Sequence, residues 1–129
     1  LHVDVPAVKP ADLALPAASE GTADIALRVA AAREVQRDRF AALVSRDTRA
    51  TGVTINAHAD GEVLDAVATP DADGQKLLTD AAERLHLSAR GWHRIRRVAR
   101  TIADLDGAEN VRRVHIAEAL SYRRIAPGR

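Results

Sequence analysis

At 129 residues and 13.8 kDa, with a formal charge of +1, the chain has room for one compact core and no charge excess that by itself points to nucleic acid or an anionic membrane. Hydrophobic residues make up 47% against 2% aromatics, so the apolar content is Ala, Leu, Val and Ile, which suits closely packed helices. The absence of cysteine excludes a disulfide scaffold and a thiolate zinc site, and no apolar run approaches the ~20 residues that cross a bilayer.

Residues Leu1 to Val8 alternate apolar and polar and then meet Pro6 and Pro10, the pattern of a short strand ending before a loop. The start LHVDVPAVKP has neither the basic segment nor the apolar core of a signal peptide, so a cytoplasmic location is the expectation. It begins on Leu1 rather than Met and reads as a piece of a longer protein. PADLALPAASEGT is rich in Pro and small residues and reads as a connector, so residues 1–20 form a strand and linker ahead of a helical domain over 21–126.

From Thr22, as N-cap, a long helix is predicted with Ile25, Val29, Ala32 and Leu43 near helical spacing and Asp24 at its positive end. SRDTRATGVT, with Gly52, is a loop. A shorter helix falls between Asn56 and Ala68, centred on DGEVLDAV and ended by Thr69 and Pro70. Asp71 or Asp73 opens the next, whose apolar face is Leu77, Leu78, Ala81, Ala82 and Leu85. Ser88 caps a fourth helix with the apolar line Trp92, Ile95, Val98 or Ala99, Ile102 and Leu105, closed by Asp106 and Gly107. The last helix, VRRVHIAEALSYRR, is predicted to bury Val114, Ala117 and Leu120, with Ile116 as a further candidate, before a frayed tail over 127–129. The fold class that follows is all-α: a small bundle of four to five helices carrying one short N-terminal strand.

The fourth helix concentrates Arg90, Arg94, Arg96, Arg97 and Arg100. Arg90, Arg94 and Arg97 share one line, and Arg96 and Arg100 a neighbouring one. Arg90 stands in the first turn, where free N–H groups and the helix dipole favour an anion, and a phosphate satisfies both those donors and a guanidinium fork. The competing reading is a solvated face partly paired with Glu83, Asp104 and Glu118. Composition alone does not choose between them.

SARGWHRIRRVARTIADLDG followed by HIAEALSYR resembles the C-terminal end of the ComM-like or YifB-like, magnesium chelatase-related AAA+ ATPases. LHVDVP is similar to the last strand of that family's ATPase core, RVAAAREVQRDRF to its first lid helix, and TINAHADGEVL to the connector that follows. The resemblance implies a helical lid packed on an upstream nucleotide-binding core in an oligomeric ring, with ATP and Mg²⁺ held by the complete protein. Ser88 to Arg90 is similar to the sensor-2 motif, which gives Arg90 contact with the terminal phosphate of ATP, in its own or an adjacent subunit. Arg94 and Arg97 are candidates to extend that contact or to meet a neighbouring subunit. Arg33, Gln36 and Arg37 match a family pattern and are candidates for a subunit interface or the nucleotide edge. The family's activity further implies remodelling of DNA; no residue specifies porphyrin metal insertion.

The sequence departs from a complete ATPase in lacking GxxxxGK[ST] and an apolar strand ending in paired carboxylates, so this piece alone is expected neither to hydrolyse ATP nor to hold it tightly. The five histidines, His2, His58, His86, His93 and His115, have no metal-ligand spacing. Ser88 lacks the glycine elbow of a nucleophile and is better read as a cap. Trp92 continues the apolar line and reads as a packing residue rather than a base-stacking platform. Arg112, Arg113, Arg123 and Arg124 form a second basic group. Two alternatives stay open: a free-standing module that binds nucleic acid through Arg90, Arg94, Arg96, Arg97 and Arg100, and an interaction bundle whose arginines maintain solubility.

Overall fold

In the computed structural model, which describes residues 1–123, the chain forms α1 (Thr22–Val44), α2 (Gly61–Ala68), α3 (Ala72–Arg84), α4 (Ala89–Leu105) and α5 (Arg113–Ser121). The all-α expectation holds. The strand does not: residues 1–8 have no strand partner, and the segment instead runs exposed into a single 3-10 turn at Pro10–Ala14. Alternation makes a strand only where a neighbouring edge accepts its hydrogen bonds, and the one long-range backbone bond here is His2 N–H to the Tyr122 carbonyl at 2.9 Å. The frayed tail and Arg124 lie outside the described residues.

Local chemistry sets the helix ends. Asp71 Oδ1 accepts from Gly74 N–H at 2.7 Å and Ser88 Oγ from Gly91 N–H at 3.1 Å, each side chain satisfying an orphan donor of the first turn. α1 starts one residue differently from the expectation, since Gly21 is the cap and Thr22 the first helical residue, with Asp24 reaching back to Gly21 N–H at 2.9 Å. At the end of α4 Gly107 takes φ 67° and the pair Gly107 N–H to Asp104 O (3.2 Å) and Ala108 N–H to Ala103 O (2.8 Å) closes the helix. α3 ends the same way with His86 in the left-handed region at φ 48°, tying Leu87 N–H to Ala82 O at 3.0 Å. This bend brings α4 in immediately after α3.

α4 is the central helix. Its strip Ile95, Ala99 and Ala103 joins Leu78 of α3 and Val111, Ile116 and Ala119 of the α5 side in one core, with Trp92 packed against it as expected. The alanines allow close helix approach, and Gly74 serves the same end, because a Cβ there would sit 3.2 Å from the backbone nitrogen of Arg113. A second core gathers Phe40, Ala50, Ala59, Val63, Leu64 and Ala68 from α1, α2 and the loop between them.

Two registers differ from the sequence reading. On α1 the buried line is Ala32, Gln36 and Phe40, while Ile25 and Val29 stay exposed, because residues 22–31 extend past both cores. On α5 the inward residues are His115, Ile116 and Ala119, and Val114 and Ala117 face outward. His115 Nδ1 accepts from Arg112 N–H at 2.9 Å, so the buried ring satisfies a donor at the start of α5, while Leu120 packs against the core as expected.

Candidate anion site at the start of α4

Ser88 is extended at φ −69°, ψ 161°, and α4 begins with Ala89, so Arg90 stands in the first turn as the sequence predicts. Ser88 uses its hydroxyl on Gly91 N–H and its carbonyl on Trp92 N–H at 2.9 Å, leaving the N–H groups of Ala89 and Arg90 without a helical partner. Replacing Ser88 with alanine should cost about 1 kcal/mol, read by urea denaturation, and fray the turn that presents Arg90.

Arg90 and Arg94 are exposed and line one groove of about 370 Å³ together with Arg123, His2, Ser88 and Tyr122. No Asp or Glu among the described residues lines it. The remaining arginines of α4 are occupied elsewhere. Arg97, predicted as an extension of the phosphate contact, instead donates from Nε to the Ala59 carbonyl at 2.7 Å and pairs with Asp60 at 3.0 Å, tethering the start of α2. Asp60 also lies 3.6 Å from His93.

Arg96 and Arg100 are 6% and 2% exposed, so a nucleic-acid surface that includes them is ruled out. They sit on the strip facing α1 and α2, where burial demands partners. Arg96 donates to the Ala68 carbonyl at 3.3 Å and to Asp65 at 2.7 Å, capping the C-terminal end of α2. Arg96→Ala should therefore lower stability by about 2 kcal/mol through carbonyls left without donors, measured as a shift in urea midpoint; Arg96→Lys should recover only part, since an ammonium lacks the planar fork.

Arg100 donates to the carbonyls of Ala108 (2.7 Å) and Glu109 (2.8 Å) and pairs with Asp104 at 2.9 Å. The Asp104 side chain is fully buried and also accepts from Arg39 and, at 2.8 Å, from Asn56 Nδ2. Burial pushes the Arg100 guanidinium below its ordinary value, Asp104 pulls it up and Arg39 adds to the downward push. Of the three carboxylates suggested as partners, Asp104 alone serves: Glu118 accepts from the Tyr122 hydroxyl at 3.1 Å, and Glu83 makes no ion pair among the described residues. Arg39 and Asn56 were not singled out by the sequence, where nothing marks them as internal.

The group Arg33, Gln36 and Arg37 is split. Gln36 is 1% exposed, its Oε1 accepting from Asn56 N–H at 3.1 Å, so it is a packing residue and is not available to a subunit interface. Arg33 and Arg37 are exposed, Arg33 on Gln36 Oε1 at 3.3 Å and Arg37 paired with Glu34. Positions 33 and 37 lie one step round the helix from 32, 36 and 40. Among the described residues no three His, Asp or Glu side chains converge on a common point, and no helix is long and apolar enough to cross a membrane.

A family model described as magnesium chelatase, subunit ChlI C-terminal, matches residues 19–123. The uncharacterized protein YifB of Salmonella typhimurium is 34% identical over 126 residues, covering 97% of this chain and 22% of that protein. Competence protein ComM of Haemophilus influenzae is 33% identical over 104 residues, 81% of this chain and 18% of that protein. YifB of Escherichia coli is 35% identical over 106 residues, 82% and 19% respectively. The chain thus spans about a fifth of the length of these curated relatives. With a family model covering most of its helices and relatives aligned over most of its length, the chain belongs to the magnesium chelatase ChlI C-terminal domain family, together with the corresponding parts of YifB and ComM.

Proposed function

We propose that this domain is the lid of an AAA+ ATPase and that Arg90 senses the terminal phosphate of ATP bound by an upstream core. The observation that carries the reading is the division of labour on α4: Arg96, Arg97 and Arg100 are paired with carboxylates of the domain, whereas Arg90 and Arg94 are exposed and have no ion pair among the described residues. Unneutralised guanidiniums beside free N–H groups at a helix start disfavour the domain by itself and favour it when an anion arrives.

Phosphoryl transfer is accelerated mainly by positioned positive charge, so an arginine carried on a rigid helix supplies what the chemistry needs without touching the reacting proton. ATP and Mg²⁺ belong to the core, since this chain has no phosphate-cradling loop of its own. α4 carries Arg90, contributes Ile95, Ala99 and Ala103 to one core and is bonded to the other through Arg96 and Arg97, so phosphate contact at one end is transmitted as movement of the whole domain. In a ring of subunits that movement changes the contact with a neighbour, for which the exposed Arg33 and Arg37 are available. The work done by the ring is proposed to be DNA remodelling in a cytoplasmic setting, in keeping with the relative named as a competence protein.

The test is Arg90→Ala in a protein that contains the nucleotide-binding core: ATP turnover should be lost with the fold intact. The nucleic-acid module is left with Arg90 and Arg94 on α4, and it predicts DNA binding by this chain with a steep salt dependence, which the lid reading does not.

A further inference from the structure

We infer that Arg123, at the end of α5, is a third guanidinium of the anion site, so that a polyphosphate is gripped from two helices rather than one. The inference rests on the phosphate-sensing reading of Arg90.

Arg90 and Arg94 line the groove from α4, and Arg123 lines it from the end of α5. Among the described residues no carboxylate lines the groove, and none of the three makes an ion pair or a side-chain hydrogen bond. Arg28, Arg37, Arg39, Arg49, Arg96 and Arg112 each have an acidic partner, and Arg33, Arg46, Arg84 and Arg113 have none among the described residues; what sets Arg90, Arg94 and Arg123 apart is that the three line one groove. Like charges drawn together without a counter-charge repel, and the missing partner is an anion.

Gly91 makes the approach possible. A Cβ on it would lie 3.1 Å from Arg123 Nη1, so this guanidinium rests over the bare backbone of the first turn of α4. Glycine is a poor helix residue, and here its lack of a side chain opens the space Arg123 occupies. The end of α5 is held in place by Arg123 N–H on the Leu120 carbonyl at 3.1 Å and by the Tyr122 hydroxyl on Glu118. A single carboxylate satisfies one guanidinium fork; three guanidiniums around a groove this size match the several oxygens of a di- or triphosphate.

The experiment is an NMR titration of the 129-residue chain with sodium tripolyphosphate at fixed ionic strength. Amide shifts should centre on Ala89, Arg90 and Gly91. Arg123→Gln and Arg90→Ala should each weaken binding by at least about fivefold, the effect of losing one charge-assisted contact, while Arg113→Gln, exposed at the start of α5, leaves it unchanged. Arg123→Lys, which keeps the charge but not the planar fork, should recover part of the affinity that Arg123→Gln loses, which separates a charge role from a packing role. If Arg90→Ala weakens binding and Arg123→Gln does not, the inference is overturned and the Arg90 reading stands. Shifts located elsewhere, or none up to about 10 mM, would overturn it outright; the Arg90 reading would then be decided by ATP turnover alone.

Discussion

An Arg90→Ala variant of the complete protein is expected to lose ATP turnover by about 10²- to 10³-fold, the effect of removing one positioned electrostatic contact to a transition state. The side chain is exposed and makes no hydrogen bond or ion pair among the described residues, so its removal leaves both cores and the cap by Ser88 in place. Thermal unfolding should accordingly match the unaltered protein to within about 0.5 kcal/mol, as surface substitutions usually do. Arg90→Lys should restore turnover only in part, since a point charge cannot present a planar fork to two phosphate oxygens. Unchanged turnover in Arg90→Ala would remove this residue from the mechanism, and lost turnover with lost fold would assign it a packing role that its exposure does not suggest.

The opposite behaviour is expected of Asp104, fourteen positions further along the same helix. Asp104→Ala leaves Arg39 and Arg100 buried without their shared carboxylate and Asn56 without its acceptor, and should destabilise the domain by about 3–5 kcal/mol. Against a typical total of about 5–15 kcal/mol, that is enough to leave a substantial unfolded fraction at physiological temperature. Asp104→Asn should recover little, because the amide keeps the shape but brings no negative charge to two guanidiniums. The measurement is the free energy of urea denaturation; a loss under 1 kcal/mol would show that the guanidiniums reach solvent or another acceptor. The segment ARTIADL, the most recognisable part of the sequence, is thereby an internal clamp between α1, the α1–α2 loop and the turn after α4, and the part of the helix proposed to meet a ligand is its first turn and a half.

The helices themselves were legible in the sequence because their causes are local. Apolar residues at three- and four-residue spacing, Asp71 and Ser88 as caps and Gly107 as a left-handed terminator act within a turn or two of chain, and each is found where its chemistry requires. Arg90 could be placed at a helix start on the same grounds. Which arginines are bonded within the domain could not be read in this way: five guanidiniums on one helix have the same local chemistry, and the periodic line through positions 90, 94 and 97 grouped Arg97 with two that have no ion pair among the described residues. Only the tertiary structure brings the Ala59 carbonyl to Arg97, the end of α2 to Arg96, and Arg39, 65 positions away in sequence, to Asp104. The same holds for Gln36, a polar residue that a pattern of hydrophobicity puts outside and that the N–H of Asn56, 20 positions away, holds within. By itself the sequence determined an all-α domain with a positive helix start at Arg90; packing decided that three of the neighbouring arginines hold the domain together, because a buried charge must find its partner wherever the fold supplies one.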